Sequence, residues 1–189
     1  IHFVLLGFLP LGRSREVNDP SLAAGCGQLF VTRRADYERA GGHAAIRASL
    51  HDGVKLPRAY RRAGVKTDIF DATEIASCRM YACSLDVWRG LAKNATEGIG
   101  SAATILPFTL LLGLGQVAPA LLLGRGVVTG FADWPQGALL IVSSALAIGL
   151  ATRLGQAIRF RLPLSSVAFH PLAVAVFLLI QWVALCRKA

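Results

Sequence analysis

The stretch SAATILPFTLLLGLGQVAPALLL, residues 101–123, decides the class of fold. These 23 residues carry no charge, and about 20 residues at the helical rise are enough to cross the hydrocarbon core of a bilayer. Pro107 and Pro119 lie inside the run, and transmembrane helices tolerate proline better than soluble helices do. Two further apolar runs follow at residues 135–154 and 164–186. The sequence therefore predicts about three transmembrane helices.

Composition favours a membrane protein over a soluble one. Hydrophobic residues make up 54% of the chain and charged residues 16%, whereas a soluble domain carries about 25% charged residues. Three buried helices of a soluble core are the alternative, which the length of the three apolar runs disfavours. The change in composition near Ile99 predicts two parts, a charged, glycine-punctuated region at residues 1–98 and a transmembrane region at residues 99–189.

Basic residues predict which side of the membrane each segment faces. The net charge is +9, and most Lys and Arg residues either precede Asn94 or lie in residues 153–161. Such residues collect on the cytoplasmic side of membrane proteins, so this distribution indicates a membrane surface and not nucleic acid as the partner of the charge. We expect a multi-pass protein of the plasma (inner) membrane with residues 1–98 in the cytoplasm.

The same rule orients the connections between the apolar runs. Residues 153–161 are expected on the cytoplasmic side and residues 124–134 on the outer side. With three full crossings, Arg187 and Lys188 also lie outside, which mildly contradicts the rule. One of the runs could therefore lie in the interface instead of crossing.

The region before the apolar runs has the pattern of a mixed α/β domain. Short apolar and β-branched runs predict strands at residues 28–32, 65–70 and 74–80. Helical patterns occupy residues 35–40 and 54–63, and Pro57 favours a late start for the second of these helices.

Residues 84–99 have the pattern of an amphipathic helix. One face carries the apolar residues Leu85, Trp88, Leu91, Ala95 and Ile99. Arg89 and Lys93 flank that face, and Ser84 is a candidate N-cap. The pattern predicts a helix that lies on an anionic membrane surface. Packing on the soluble region is the alternative, which hydrophobic periodicity does not separate from the first.

The N-terminus and the distribution of cysteine and histidine give three further expectations. The apolar run Ile1–Leu11 lacks the charged segment and cleavage site of a signal peptide, so we expect the chain to begin inside a longer protein. The four cysteines show no CxxC pairing and are expected to be free thiols. The four histidines have no HExxH-type spacing, so no zinc site is predicted.

Four short segments occur in an informative order. They are GCGQLF at residues 25–30, RADYERAGGH at residues 34–43, HDGVKL at residues 51–56 and CRMY at residues 78–81. Their order and spacing resemble the acceptor-side half of family 2 glycosyltransferases, especially the membrane-bound cellulose-synthase-like and hopanoid-associated bacterial branches. The resemblance covers about residues 17–94, and the three apolar runs fit the same architecture.

The resemblance implies a partial GT-A-like α/β domain followed by transmembrane helices. It also implies transfer of a sugar from a nucleotide-sugar donor to a lipid or lipid-linked acceptor, with Mg²⁺ or Mn²⁺ in the full-length enzyme. The DxD motif that holds this metal in the family does not occur in the sequence, and neither do the strands that bind the nucleotide. We therefore expect the chain to lack the nucleotide-binding half and to bind no metal by itself.

Asp52 is the candidate catalytic residue. Inverting sugar transfer needs a base that takes the proton of the acceptor hydroxyl, and a carboxylate in a cleft can do this. The family carries Glu-Asp here, with the Asp as base; in this sequence Asp52 aligns with the Glu, and Gly53 aligns with the Asp. Either Asp52 serves from the shifted position, or it only caps a helix and the chain is a pseudoenzyme.

Seven further residues are expected to bind substrate: Gly27, Gln28, Gly42, His43, His51, Arg79 and Tyr81. In the family, residues 25–28 line the acceptor side of the cleft, where glycine lets the backbone approach a sugar; a tight loop without a ligand is the alternative. Arg79 lies where processive relatives carry QxxRW, and a guanidinium suits a diphosphate; a solvent-exposed Arg is the alternative. Ala76 replaces the Gln of that motif, which favours a non-processive enzyme. A non-catalytic transporter subunit or scaffold is the rival from another class.

Overall fold

The computed structural model describes residues 9–49, 51–96 and 98–188. The chain divides into two compact units, one ending at Met80 and the other beginning at Tyr81. The amphipathic helix that the sequence places with residues 1–98 belongs to the second unit.

In its described residues, 9–49 and 51–80, the first unit has three helices around a small apolar core. The helices are α1 (Leu11–Glu16), α2 (Arg34–Arg39) and α3 (Asp52–Arg62), with 3₁₀ turns at Pro20–Leu22 and Gly42–Ile46. Leu56 and Tyr60 of α3 are 2% exposed and pack with Ala40, and Phe30 lies against them. The first predicted helix is therefore confirmed to within one residue at each end.

Helix α3 begins at Asp52, two residues before the predicted start, and keeps Pro57 inside. A proline in a helix lacks the N–H that would bond the carbonyl four residues earlier, here that of Gly53. The Gly53 carbonyl instead accepts a hydrogen bond from the Gly25 N–H at 2.7 Å. The carbonyl left free by Pro57 is thus satisfied by the loop that precedes α2.

The three predicted strands are wrong. Among the described residues the only β pairing is an isolated bridge between Cys26 and Leu29, and residues 65–70 and 76–80 belong to no helix or sheet. β-Propensity reports how well a residue fits a pleated, half-buried surface, so a segment without a partner strand does not express it. The expected α/β GT-A-like domain is therefore not seen in the described part of the chain.

Arg61 ties the first unit together. Its side chain is buried, at 4% exposure, and its guanidinium donates to oxygens of Ser14, Val17, Asp19 and Thr67 at 2.7–3.1 Å. Every partner is a carbonyl or hydroxyl, so the charge is solvated by backbone dipoles and no carboxylate contacts it. The segment around Thr67 is held by these bonds in place of a strand ladder.

The second unit is helical throughout its regular structure. Its helices are α4 (Ser84–Ala95), α5 (Ile105–Leu112), α6 (Ala118–Thr129), α7 (Ala138–Arg159), α8 (Ser165–Ala168) and α9 (His170–Lys188), with a π-helical turn, Gly113–Val117, joining α5 to α6. Three stretches are long and apolar enough to cross a membrane: Ile105–Thr129, Ala138–Arg159 and His170–Arg187. The prediction of three apolar spans is confirmed, with each span starting three to six residues later than expected.

Apolar side chains cover the outside of this bundle. Val127 and Val128 are 75% and 85% exposed, and Leu140 and Ile141 are each 71% exposed. Exposed aliphatic surface of this extent suits contact with lipid tails and not with water.

The end of α9 lies beside the start of α5. The Trp182 indole N–H donates to the Thr109 hydroxyl at 2.9 Å, and the Gln181 side chain lies against Gly100. The start of α9 lies much further along the bundle. There His170 lines a crevice together with Gln116 and Gly149.

Helix α7 ends at the same end of the bundle as α9. It runs back along α6 from the short connection at residues 130–137, so its end approaches the level at which α5 begins. Residues 160–169 then run back along the bundle to the level of Gln116 and Gly149, where α9 starts. The sequence places Arg187 at the opposite end from residues 153–161; the structure places both at one end.

Helix α4 packs against α9 within its unit. Ala95 is 4% exposed, Leu85 is 53% exposed, and Arg89 and Lys93 point to the surface. Part of the predicted apolar face is thus covered by a transmembrane-type helix, and Leu85 is left to contact lipid or solvent.

Candidate functional site

Asp52 is the first residue of α3 and its carboxylate is exposed. The Gly53 N–H donates to Asp52 Oδ1 at 2.7 Å. An acidic residue in the first turn is favoured by the free N–H groups and the positive end of the helix dipole. His51 takes the N-cap position before it and is partly exposed.

The glycine loop, residues 25–28, folds onto this first turn. A Cβ at Gly27 would lie 2.5 Å and 2.7 Å from the two Asp52 carboxylate oxygens, and a Cβ at Gly53 would lie 2.8 Å from the Gly25 carbonyl oxygen. At Gly53 the clash is with backbone, so a side chain there would force the loop to move, whereas a side chain at Gly27 would displace the Asp52 carboxylate. The close approach brings the Asp52 carboxylate against the backbone of the loop.

This packing gives a physical reason for a glycine at position 53. An aspartate there would drive its Cβ into the Gly25 carbonyl, which is backbone and has no rotamer to change. With the loop in this position, a carboxylate can stand at 52 but not at 53.

Gln28 links the loop to the segment that carries Arg79. Its Nε2 donates to the Met80 sulfur at 2.8 Å, and its Oε1 accepts from the Cys26 thiol. Arg79 itself is exposed. The structure thus brings together Gly27, Gln28, His51 and Asp52, with the Arg79 segment next to Gln28.

Gly42 and His43 belong to a separate local structure. Gly42 has φ +54°, and a Cβ there would lie 2.5 Å from the Tyr37 ring. The His43 N–H donates to the Tyr37 hydroxyl at 3.0 Å, and that hydroxyl bonds the His43 Nδ1 at 2.8 Å. Their observed contacts build the turn after α2, and no described contact joins them to Asp52.

Tyr81 lies in the second unit. Its ring rests on Gly90 of α4, where any Cβ would collide with the phenol oxygen. The residue therefore has a packing role on α4.

The described residues offer no set of ligands for the expected Mg²⁺ or Mn²⁺. Within residues 9–49, 51–96 and 98–188 no three His, Cys, Asp or Glu side chains cluster closely enough to hold a metal ion.

Comparison with known proteins adds no relative to this geometry. No protein-family model, no curated protein and no solved structure matches the chain. The resemblance to family 2 glycosyltransferases thus depends on the four segments, two of which, residues 25–30 and 51–56, meet at Asp52.

Sequence reasoning did not single out two residues that make contacts in this unit, Arg61 and Cys26. Arg61 falls outside all four segments, although its position one turn after Pro57 on the buried stripe of α3 could have indicated burial. Cys26 lies inside the loop but has no sequence signature of its own, and its contact with Gln28 is a product of the fold.

Proposed function

We propose that the chain is the acceptor-side and membrane part of a glycosyltransferase that moves one sugar from a nucleotide-sugar donor to a lipid or lipid-linked acceptor. One observation carries the proposal: the exposed Asp52 carboxylate is seated on the glycine loop, at the start of a helix. Two segments that the family uses around its catalytic base are about 25 residues apart in the sequence and adjacent in space.

The arrangement suits proton abstraction from an acceptor hydroxyl. Asp52 Oδ2 takes the hydroxyl proton while the acceptor oxygen forms a bond to the anomeric carbon of the donor. The bond from that carbon to the diphosphate breaks on the opposite face, and its electron pair leaves with the diphosphate. The configuration of the sugar is inverted. The loop backbone at Gly27 leaves no side chain between the carboxylate and an approaching sugar.

Arg79 has a different role in this proposal. Its guanidinium, exposed and next to Met80, would balance charge on the departing diphosphate. Substitution of Arg79 should therefore affect the donor, whereas substitution of Asp52 should affect the acceptor step.

The second unit supports a membrane acceptor. Its three apolar helices would hold the enzyme in the bilayer, and α4 carries exposed Arg89 and Lys93, which suit an anionic lipid surface. The proposal therefore takes as acceptor a lipid or lipid-linked molecule held in the same membrane.

A transfer assay tests the proposal. The full-length polypeptide that contains this sequence is expressed in membranes and incubated with radiolabelled UDP- and GDP-sugars and Mn²⁺, and label is counted in the organic-solvent extract. We expect label in the lipid fraction for the wild type and for Asp68→Asn, an exposed carboxylate paired with Arg15. Asp52→Asn should lose it. A wild type that transfers no sugar from any donor would favour the pseudoenzyme or non-catalytic alternative.

A further inference from the structure

Arg153 lies within a membrane-spanning helix. Helix α7 continues to Arg159, so Arg153 precedes the end of its span by six residues, or about 9 Å at the helical rise. The apolar pattern of the sequence places this residue at the edge of a span, in a connection. A charge within a membrane-spanning segment is costly and is retained mainly where it faces a partner or a ligand.

The contacts of Arg153 are neutral. One terminal nitrogen donates to the Ser166 hydroxyl at 3.0 Å and the other to Gln156 Oε1 at 3.4 Å. Among the described residues no carboxylate pairs with it. The sequence offers none nearby, because Asp133 is the only acidic residue after position 97, and it lies in the connection at the other end of α7.

Polar side chains collect around this guanidinium. Gln156 and His170 are 8% and 7% exposed, and His170 lines a crevice with Leu150, which lies about one turn before Arg153 on α7. Ser166 belongs to α8, which returns beside α7 before α9 begins. Irregular backbone at membrane depth is tolerated where it lines a protein or polar site, which this one provides.

We propose that Arg153, Ser166 and His170 form a binding site for the phosphate group of a membrane lipid. Five N–H groups in a planar fork match the oxygens of a phosphate, and the observed contacts occupy only two directions of that fork. The hydroxyl and the imidazole can each donate to a further oxygen. A lipid phosphate supplies the missing negative charge from within the membrane, with its acyl chains along the apolar surface of α7. The site does not depend on sugar transfer and stands in the second unit alone.

Binding to purified full-length protein in phosphatidylcholine nanodiscs tests this site. The probe is a fluorescent phosphatidic acid titrated into the discs, and the matched variants are Arg153→Gln and Arg125→Gln, an exposed arginine of α6. We expect Arg153→Gln to weaken binding at least about tenfold, the worth of one to two charge-assisted hydrogen bonds. Arg125→Gln should change it less than about twofold. Equal affinities for the two variants would overturn the proposal.

Two further arms decide the source and the fold. Inorganic phosphate at millimolar concentration should not displace the lipid; displacement would mean that a soluble phosphate is the ligand and would overturn the lipid assignment. If Arg153→Gln loses helical signal in circular dichroism, Ser166→Ala and Arg153→Lys replace it, since each keeps more of the native site. Both should weaken binding by about threefold or more, because each removes one directed hydrogen bond. Wild-type affinity in both would refute the site.

Discussion

Replacing Gly53 by alanine should loosen the contact that seats Asp52 on the glycine loop. The new Cβ would lie 2.8 Å from the Gly25 carbonyl oxygen, and Gly25 also donates to the Gly53 carbonyl at 2.7 Å. Both groups are backbone, so the loop must move. Overpacking of this kind costs about 1–3 kcal/mol, and the higher helix propensity of alanine returns at most about 1 kcal/mol. We expect a net local loss of about 1.4 kcal/mol.

Hydrogen exchange at the Gly25 amide measures this loss directly. A loss of that size speeds exchange through local opening about tenfold. Gly12→Ala in α1 is the matched control, because no heavy atom lies within 4 Å of its added Cβ. That variant should leave exchange at Gly25 unchanged. If the Gly25 amide exchanges at the same rate in Gly53→Ala and Gly12→Ala, the loop does not rest on α3 as described, and the placement of Asp52 against the loop is wrong.

Three further predictions follow from the two units and from the family resemblance. Arg61→Met should destabilise the first unit by about 3 kcal/mol, because it leaves the buried Ser14 oxygens and the partly buried Thr67 oxygens without their donor, and limited proteolysis should cut the variant much faster than Arg62→Met. In a protein without other cysteines, Cys186 and a cysteine replacing Arg161 should react with impermeant maleimide from one side of the membrane and a cysteine replacing Thr129 from the other; opposite labelling of the first two would contradict the return of residues 160–169. Residues 1–189 alone should bind no UDP-sugar in calorimetry with Mn²⁺, and micromolar binding would show that the donor site lies within this sequence.

The apolar spans could be predicted because their signal is summed over about 20 residues, so no single position decides it. Their ends could not, since α7 continues to Arg159, beyond the predicted end, and the contact of Arg153 with Ser166 of α8 leaves no periodic pattern in the sequence. The direction of α9 could not be predicted either, because it depends on a tertiary contact, the hydrogen bond between Trp182 and Thr109.

In the first unit, residues 25–28 contact Asp52, a contact between distant segments that the sequence pattern did not predict, and the predicted strands are absent from the described residues. Residues 65–70 have a strand-like composition, but Arg61 and Arg15 bind their carbonyls, so no ladder forms. In the family resemblance, Gly53 aligns with the catalytic Asp of the family. The structure adds that its missing side chain is what allows the glycine loop to reach α3.

The kinetics of Asp52→Asn in the full-length enzyme test the central claim most directly. The substitution is nearly isosteric, and asparagine suits the start of a helix as aspartate does, so the fold should persist. The account predicts that kcat falls by about 10² to 10⁴, the usual worth of a positioned base, with the donor KM unchanged. Arg79→Ala should raise the donor KM as well. Near-normal turnover in Asp52→Asn, together with its loss in Arg79→Ala, would contradict the account and leave Asp52 as a helix-terminal residue only.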